Sequence, residues 1–167
     1  MDRQTYNDII ELLHREVKPA LGCTEPVAVA LAVAKSCSMF PSQTPSRIVV
    51  EVSANILKNA MGVGIPGTGM VGLNIAVALA MVCGKAEYGL EVLKDLTPED
   101  ASSAKEYSAT PGKVKIALAQ TDKKLYIDAT AFFKGQDGEE HSARTVIADD
   151  HDAIVFVSKD SEVILDN

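Results

Sequence analysis

The chain has 167 residues, a formal charge of −7, 47% hydrophobic residues and no Trp, which fits one domain built on Ala, Val, Ile and Leu rather than an aromatic platform. Charge is uneven: through Gly84 there are six residues of each sign, and the remainder carries ten basic against seventeen acidic. No basic stripe is present, which argues against a nucleic-acid partner, and the acidic half reads as a solvated face.

Thr5 to Val17 has apolar residues at Ile9, Ile10, Leu12, Leu13 and Val17 between charged ones, the period of a helix with one buried stripe. Pro19 ends it. After the Ala20-Leu21-Gly22 turn, Cys23 or Thr24 caps a second helix reaching about Ser38, with Pro26 in its first turn. Val27 to Ala34 is apolar throughout, so this helix should be central and buried. Arg47 to Val52 reads as a β-branched strand. A glycine-dense segment follows, and Met70 to Cys83 predicts a second all-apolar helix, too short to cross a bilayer at about 20 residues. Tyr88 to Leu93 continues helically, and Thr97-Pro98-Glu99-Asp100 has the residues of a capped helix start. From Val114 to Ala148 apolar and polar residues alternate, with turn-like connectors at Thr121–Lys124 and Gly135–Gly138, and Ile154-Val155-Phe156-Val157 adds a final short strand.

The predicted class is α+β: an antiparallel, mixed-order sheet of about five strands, backed by buried apolar helices in two layers. A single domain over 1–167 divides into a helical, glycine-loop portion over 1–110 and an antiparallel meander over 113–160. Three cysteines without paired spacing, and no basic-then-apolar leader, point to the cytoplasm, with no membrane association.

Two segments carry chemical potential. At Leu21-Gly22-Cys23-Thr24-Glu25-Pro26, a cysteine at the start of a buried helix faces free N–H groups, which favour the thiolate that binds metal or attacks. The competing reading is a small apolar cysteine in a turn. None of the three cysteines has a local metal-site spacing. Gly62-x-Gly64-x-x-Gly67 matches a dinucleotide fingerprint in letters only, because the strand ends about ten residues too early and Pro66 interrupts it. A glycine loop leading into a helix near Thr68 could cradle a carboxylate or phosphate, or could be a tight turn between layers. Ser53, Asn55, Lys58 and Asn59 suit an amino-acid carboxylate, although polar residues on an exposed turn are commoner. His14 reads as solvated, and His151 lies among Asp149, Asp150 and Asp152 in a spacing unlike a calcium loop.

Val17–Pro26, Lys58-Asn59 with Pro66–Leu73, Gly89–Asp95, and His151 with Ile154-Val155 together resemble, in order, four sequence blocks of the L-cysteine desulfidase family, which is similar to the α-type domain of iron–sulfur L-serine dehydratases. The likeness spans the whole chain but only about the first two-fifths of such a protein; Asp152 departs from it. It implies a β-elimination of L-cysteine to sulfide, ammonia and pyruvate on a [4Fe–4S] cluster, with Cys23 as one ligand. Thr24, Lys58, Asn59, Gly67, Thr68 and Gly69 would line the substrate carboxylate, and the general base is unassigned. On that reading the N-terminal part of such a lyase is inactive alone and lacks its cluster, the remaining ligands coming from a C-terminal region or second chain. The alternatives are a non-catalytic small-anion or amino-acid binding module, or one chain of a split L-serine dehydratase-like enzyme. A homo-oligomer is compatible with either.

Overall fold

The computed structural model describes residues 1–136 and 138–167. Asp137, within the expected 135–138 connector, lies outside the described residues. Helices α1 (Arg3–Glu16) and α2 (Thr24–Cys37) precede strand β1 (Arg47–Val52) and the short helix α3 (Ala54–Ala60). A small hairpin, β2 (Gly64–Ile65) with β3 (Met70–Val71), leads into α4 (Leu73–Cys83). A 3-10 stretch over Ala86–Glu91 and helix α5 (Pro98–Ala109) follow. The chain finishes in β4 (Val114–Leu118), β5 (Tyr126–Lys134), β6 (Glu140–Ala148), β7 (Ile154–Lys159) and β8 (Glu162–Asp166).

The α+β class holds, with six strands in the main sheet in the order β4-β1-β5-β6-β7-β8. β5 to β8 form an antiparallel meander and β1 joins its edge antiparallel to β5. β4 is not part of the meander. It pairs parallel to β1, an arrangement that needs a long crossover, which the intervening helices supply. The sheet therefore draws on both portions of the chain.

α2 is buried from Pro26 to Ala34 and packs on β5 and β6, with α4 beside it. Its alternating Ala and Val side chains are short, so the helix axis can approach the sheet closely. Ile48, Val50 and Val52 of β1 and Ile127, Ala129, Ala131 and Phe133 of β5 face it across the core. One polar joint fastens helix to sheet. The Ser36 hydroxyl donates to the Ala129 carbonyl at 3.0 Å and lies 2.9 Å from the Thr145 hydroxyl, both side chains being fully buried. Since Ser36 has one proton to give, Thr145 donates to Ser36.

Thr97 caps α5 as its sequence implies: its hydroxyl accepts from the Asp100 N–H, and the Asp100 carboxylate accepts from the Thr97 N–H. Three expectations need correction. The stripe on α1 is not buried: no residue of that helix is, and Tyr6, Ile9, Leu12 and Leu13 are exposed. Tyr88 to Leu93 does not continue a helix, since Gly89 at φ +55 breaks a 3-10 turn. The second apolar helix begins at Leu73 rather than Met70, with the preceding residues spent on the β2–β3 hairpin.

The β7–β8 turn places Asp160 at φ +51, a left-handed conformation that non-glycine residues adopt at some cost. Its carboxylate accepts from the Ser142 N–H at 2.8 Å and lies 3.1 Å from His141 Nδ1. The Ser142 N–H holds the carboxyl below its ordinary value. A lowered folded pKa means stability present above the unfolded carboxylate range and lost as pH falls through the folded one. Asp160→Ala should cost about 1 kcal/mol in urea unfolding at neutral pH. The difference from wild type should shrink in acid, and an equal deficit at pH 7 and pH 2.5 would contradict this role.

Candidate functional site

Four segments far apart in sequence meet at the start of α2. Cys23 is the N-cap residue, with extended backbone and no side-chain capping bond, and it is exposed. On one side Gly22, at φ +94, presses against the ring of Pro66. A Cβ at Gly22 would lie 3.0 Å from Pro66 Cγ, so glycine is required both for the turn and for the approach. Glu25, in the first turn of α2, accepts from Asn59 Nδ2 at 3.1 Å, which ties α3 to the same place.

On the other side opens a cleft of about 230 Å³, lined by Thr24, Lys18, His151 and Asp152 together with Arg15, Glu16, Leu90 and Asp150. Lys18 Nζ donates to Asp152 Oδ1 at 2.7 Å, joining the α1–α2 connector to the β6–β7 turn. The Leu21 N–H donates to the Leu90 carbonyl at 3.2 Å and fixes the same connector from below. The lining thus presents both signs of charge beside the start of a buried helix, whose N–H groups carry partial positive charge.

The residues singled out from the sequence fall unevenly around this point. Thr24 lines the cleft, and Asn59 reaches the site through Glu25. Lys58 is exposed on α3. Gly67, Thr68 and Gly69 form the tip of the β2–β3 hairpin, which meets the site through Pro66. No helix begins near Thr68. Its hydroxyl donates to the Ile65 carbonyl at 2.8 Å and accepts from the Met70 N–H at 3.0 Å, so it closes its own turn. Ser53 is likewise structural: it is buried, caps α3 and donates to the Lys124 carbonyl at 2.8 Å. Arg15, Glu16 and Leu90 gave no sequence signal as lining residues, and the Lys18–Asp152 pair is separated by 134 positions.

The three cysteines differ in chemistry. Burial pushes the Cys37 thiol up to about 12. Cys83 rises to about 11, mainly through burial and secondarily through Asp100 and Asp95, and its Sγ donates to the Leu79 carbonyl. Both therefore stay protonated near neutral pH, and Cys23 is the exposed thiol of the three. Among the described residues no three of His, Cys, Asp and Glu converge into a group able to hold a metal ion. The residues present do not fit a [4Fe–4S] cluster by themselves; Cys23 could lend one thiolate to a shared centre.

Fold and site thus describe an α+β protein with an exposed thiol and a charge-lined cleft at the mouth of its central helix. No known family profile matches the chain. It is 50% identical over 99% of its length to a UPF0597 protein of Parabacteroides distasonis, covering 37% of that protein. It is 46% identical over 98% to a UPF0597 protein of Oleidesulfovibrio alaskensis, covering 37%, and 45% identical over 96% to one of Aeromonas hydrophila, covering 35%. The chain spans a little over a third of the length of the curated relatives it matches.

These relatives overturn the assignment to the L-cysteine desulfidases, and with it the reading of the chain as the N-terminal part of such a lyase. Nearly the whole chain aligns to proteins carrying a different family name, one that states no activity. The structure supplies a physical reason why the shared blocks are not diagnostic of that reaction. Lys18 forms an ion pair, Gly22 packs on Pro66, Gly72 starts α4 at φ +91, and Gly89 turns the chain at φ +55. The three glycines are required by the backbone path itself, whatever reaction it hosts.

Proposed function

We propose that the mouth of α2 is part of a small-molecule site in an enzyme, that its ligand is a zwitterion of amino-acid size, and that Cys23 supplies a soft nucleophilic or metal-binding group at its rim. The observation that carries this reading is the convergence, beside one exposed thiol, of a roughly 230 Å³ cleft lined by Lys18, Arg15 and His151 as well as Asp150. A ligand bearing one carboxylate and one ammonium matches such a lining, whereas a purely apolar ligand would displace water from these charged groups and offer them no hydrogen bond in return. Thr24 adds a hydroxyl at the helix start, where a carboxylate is favoured. The chain covers little more than a third of its relatives, and further walls of the site would come from the region they carry beyond it. Three free cysteines support a reducing compartment, the cytoplasm. Among the described residues no helix is long and apolar enough to cross a membrane.

Thiol alkylation tests the site. Iodoacetamide at pH 8 should modify one thiol quickly in the folded protein, and the Cys23→Ser variant should lose that phase while the other two thiols react after denaturation. Saturating L-alanine should slow the fast phase about tenfold by occupying the cleft. Unchanged Cys23 alkylation across L-alanine and the other small amino acids would remove the proposal.

A further inference from the structure

We infer that Lys18 selects the carboxylate of the ligand, and that Asp152 occupies its position in the ligand-free protein as an internal competitor. This deepens the proposed amino-acid site and rests on that reading. Lys18 and Asp152 both line the cleft, and their 2.7 Å contact is the ion pair across it. The partner that Lys18 already holds is a carboxylate, the group a bound amino acid would offer. The remaining charged lining differs in placement. Arg15 is engaged by Glu16 at 2.7 Å on the exposed end of α1, and neither Asp150 nor Glu16 can accept a carboxylate. His151 is the neighbouring titratable group, on the same turn as Asp152.

The Lys18 and Asp152 side chains retain 43% and 30% of their exposure, so water reaches both and screens their attraction. Exposed pairs of this kind hold weakly, and a ligand carboxylate arriving beside Thr24 can take the Lys18 ammonium from Asp152. The exchange swaps one carboxylate for another on the same cation and leaves the Asp152 carboxylate in solvent-accessible space, so no charge is stranded in the core. Lys18 also lies two residues beyond the end of α1, and release of Asp152 would free that connector from the β6–β7 turn.

Competition makes an unusual prediction. Removing the charge of Asp152 should improve binding rather than impair it. Dissociation constants of propionate and L-alanine, measured by NMR titration of the full chain, should fall about threefold to fivefold in Asp152→Asn, the size expected when a weak exposed pair no longer competes. Lys18→Met should lose binding of both probes and Lys18→Arg should retain it, while L-alaninamide, which lacks the carboxylate, should fail to bind the wild type. Thermal melts of each variant confirm folding. Wild-type binding of L-alanine with unchanged or weaker affinity in Asp152→Asn overturns the competitor role alone. Undiminished binding in Lys18→Met overturns the selection role. Absence of any binding of L-alanine and propionate to the wild type overturns the site reading itself.

Discussion

Replacing Gly84 by Ala should destabilise the protein by about 2 kcal/mol, although the backbone there is permissive for any residue. Gly84 follows α4 at φ −65 and ψ 132, so no left-handed strain is involved. The obstacle is space. A Cβ at this position would sit 2.5 Å from the Ala80 carbonyl oxygen, 2.8 Å from Ala80 Cα and 2.9 Å from Ala34 Cβ. Two of those atoms are backbone and the third is a rigid methyl of the buried α2, so none can swing away. Relief requires the chain at Gly84 to swing away from the last turn of α4, whose Ala80 supplies the two shortest contacts, and α4 to move off Ala34 of α2 as well. For a chain of this length the loss corresponds to about 4–8 °C in Tm. Gly62→Ala is the matched control: nothing lies within 4 Å of its added Cβ and its φ is not left-handed, so its Tm should change by less than about 2 °C. Equal melting temperatures for Gly84→Ala and wild type would show that the end of α4 is less tightly held than described.

Ser36→Ala should cost about 1–3 kcal/mol in urea unfolding, more than the small volume removed would suggest. The deleted hydroxyl links α2 to two sheet strands, through the Ala129 carbonyl of β5 and the Thr145 hydroxyl of β6. Without it Thr145, which is fully buried, keeps a hydroxyl proton with nowhere to go. Thr145→Val removes the same contact from the other side and substitutes a similar shape without the hydroxyl. The two losses therefore overlap. The double variant Ser36→Ala/Thr145→Val should be more stable than the sum of the single effects implies, by at least about 0.5 kcal/mol. Strict additivity would mean that the two hydroxyls act independently.

Local signals predicted local structure well. The unbroken apolar run from Val27 to Ala34 announced a buried central helix, and Thr97 with Pro98 and Asp100 announced the start of α5. Non-local pairing left no such trace. The parallel match of β4 to β1 depends on the path of three intervening helices, which a window of residues does not encode. β8 escaped because Val163-Ile164-Leu165 does not alternate, and a register shift at Val157/Ser158 breaks the period between it and β7. The exposed stripe on α1 shows the opposite failure: amphipathic spacing predicts that a face could be buried, not that a partner lies within the same chain. In the site, the placement of Cys23 and Thr24 at a helix start was legible in the sequence, whereas the cleft beside them required two segments 134 residues apart to meet.

The central claim is that a small zwitterion binds where α2 begins. Backbone amide shifts of the 15N-labelled chain during titration with L-alanine test it most directly. The largest changes should fall on Lys18, Cys23, Thr24 and His151, with smaller ones at Gly67 and Asn59 across the rim. Perturbations absent there, or confined to the outer strands β7 and β8, would contradict it.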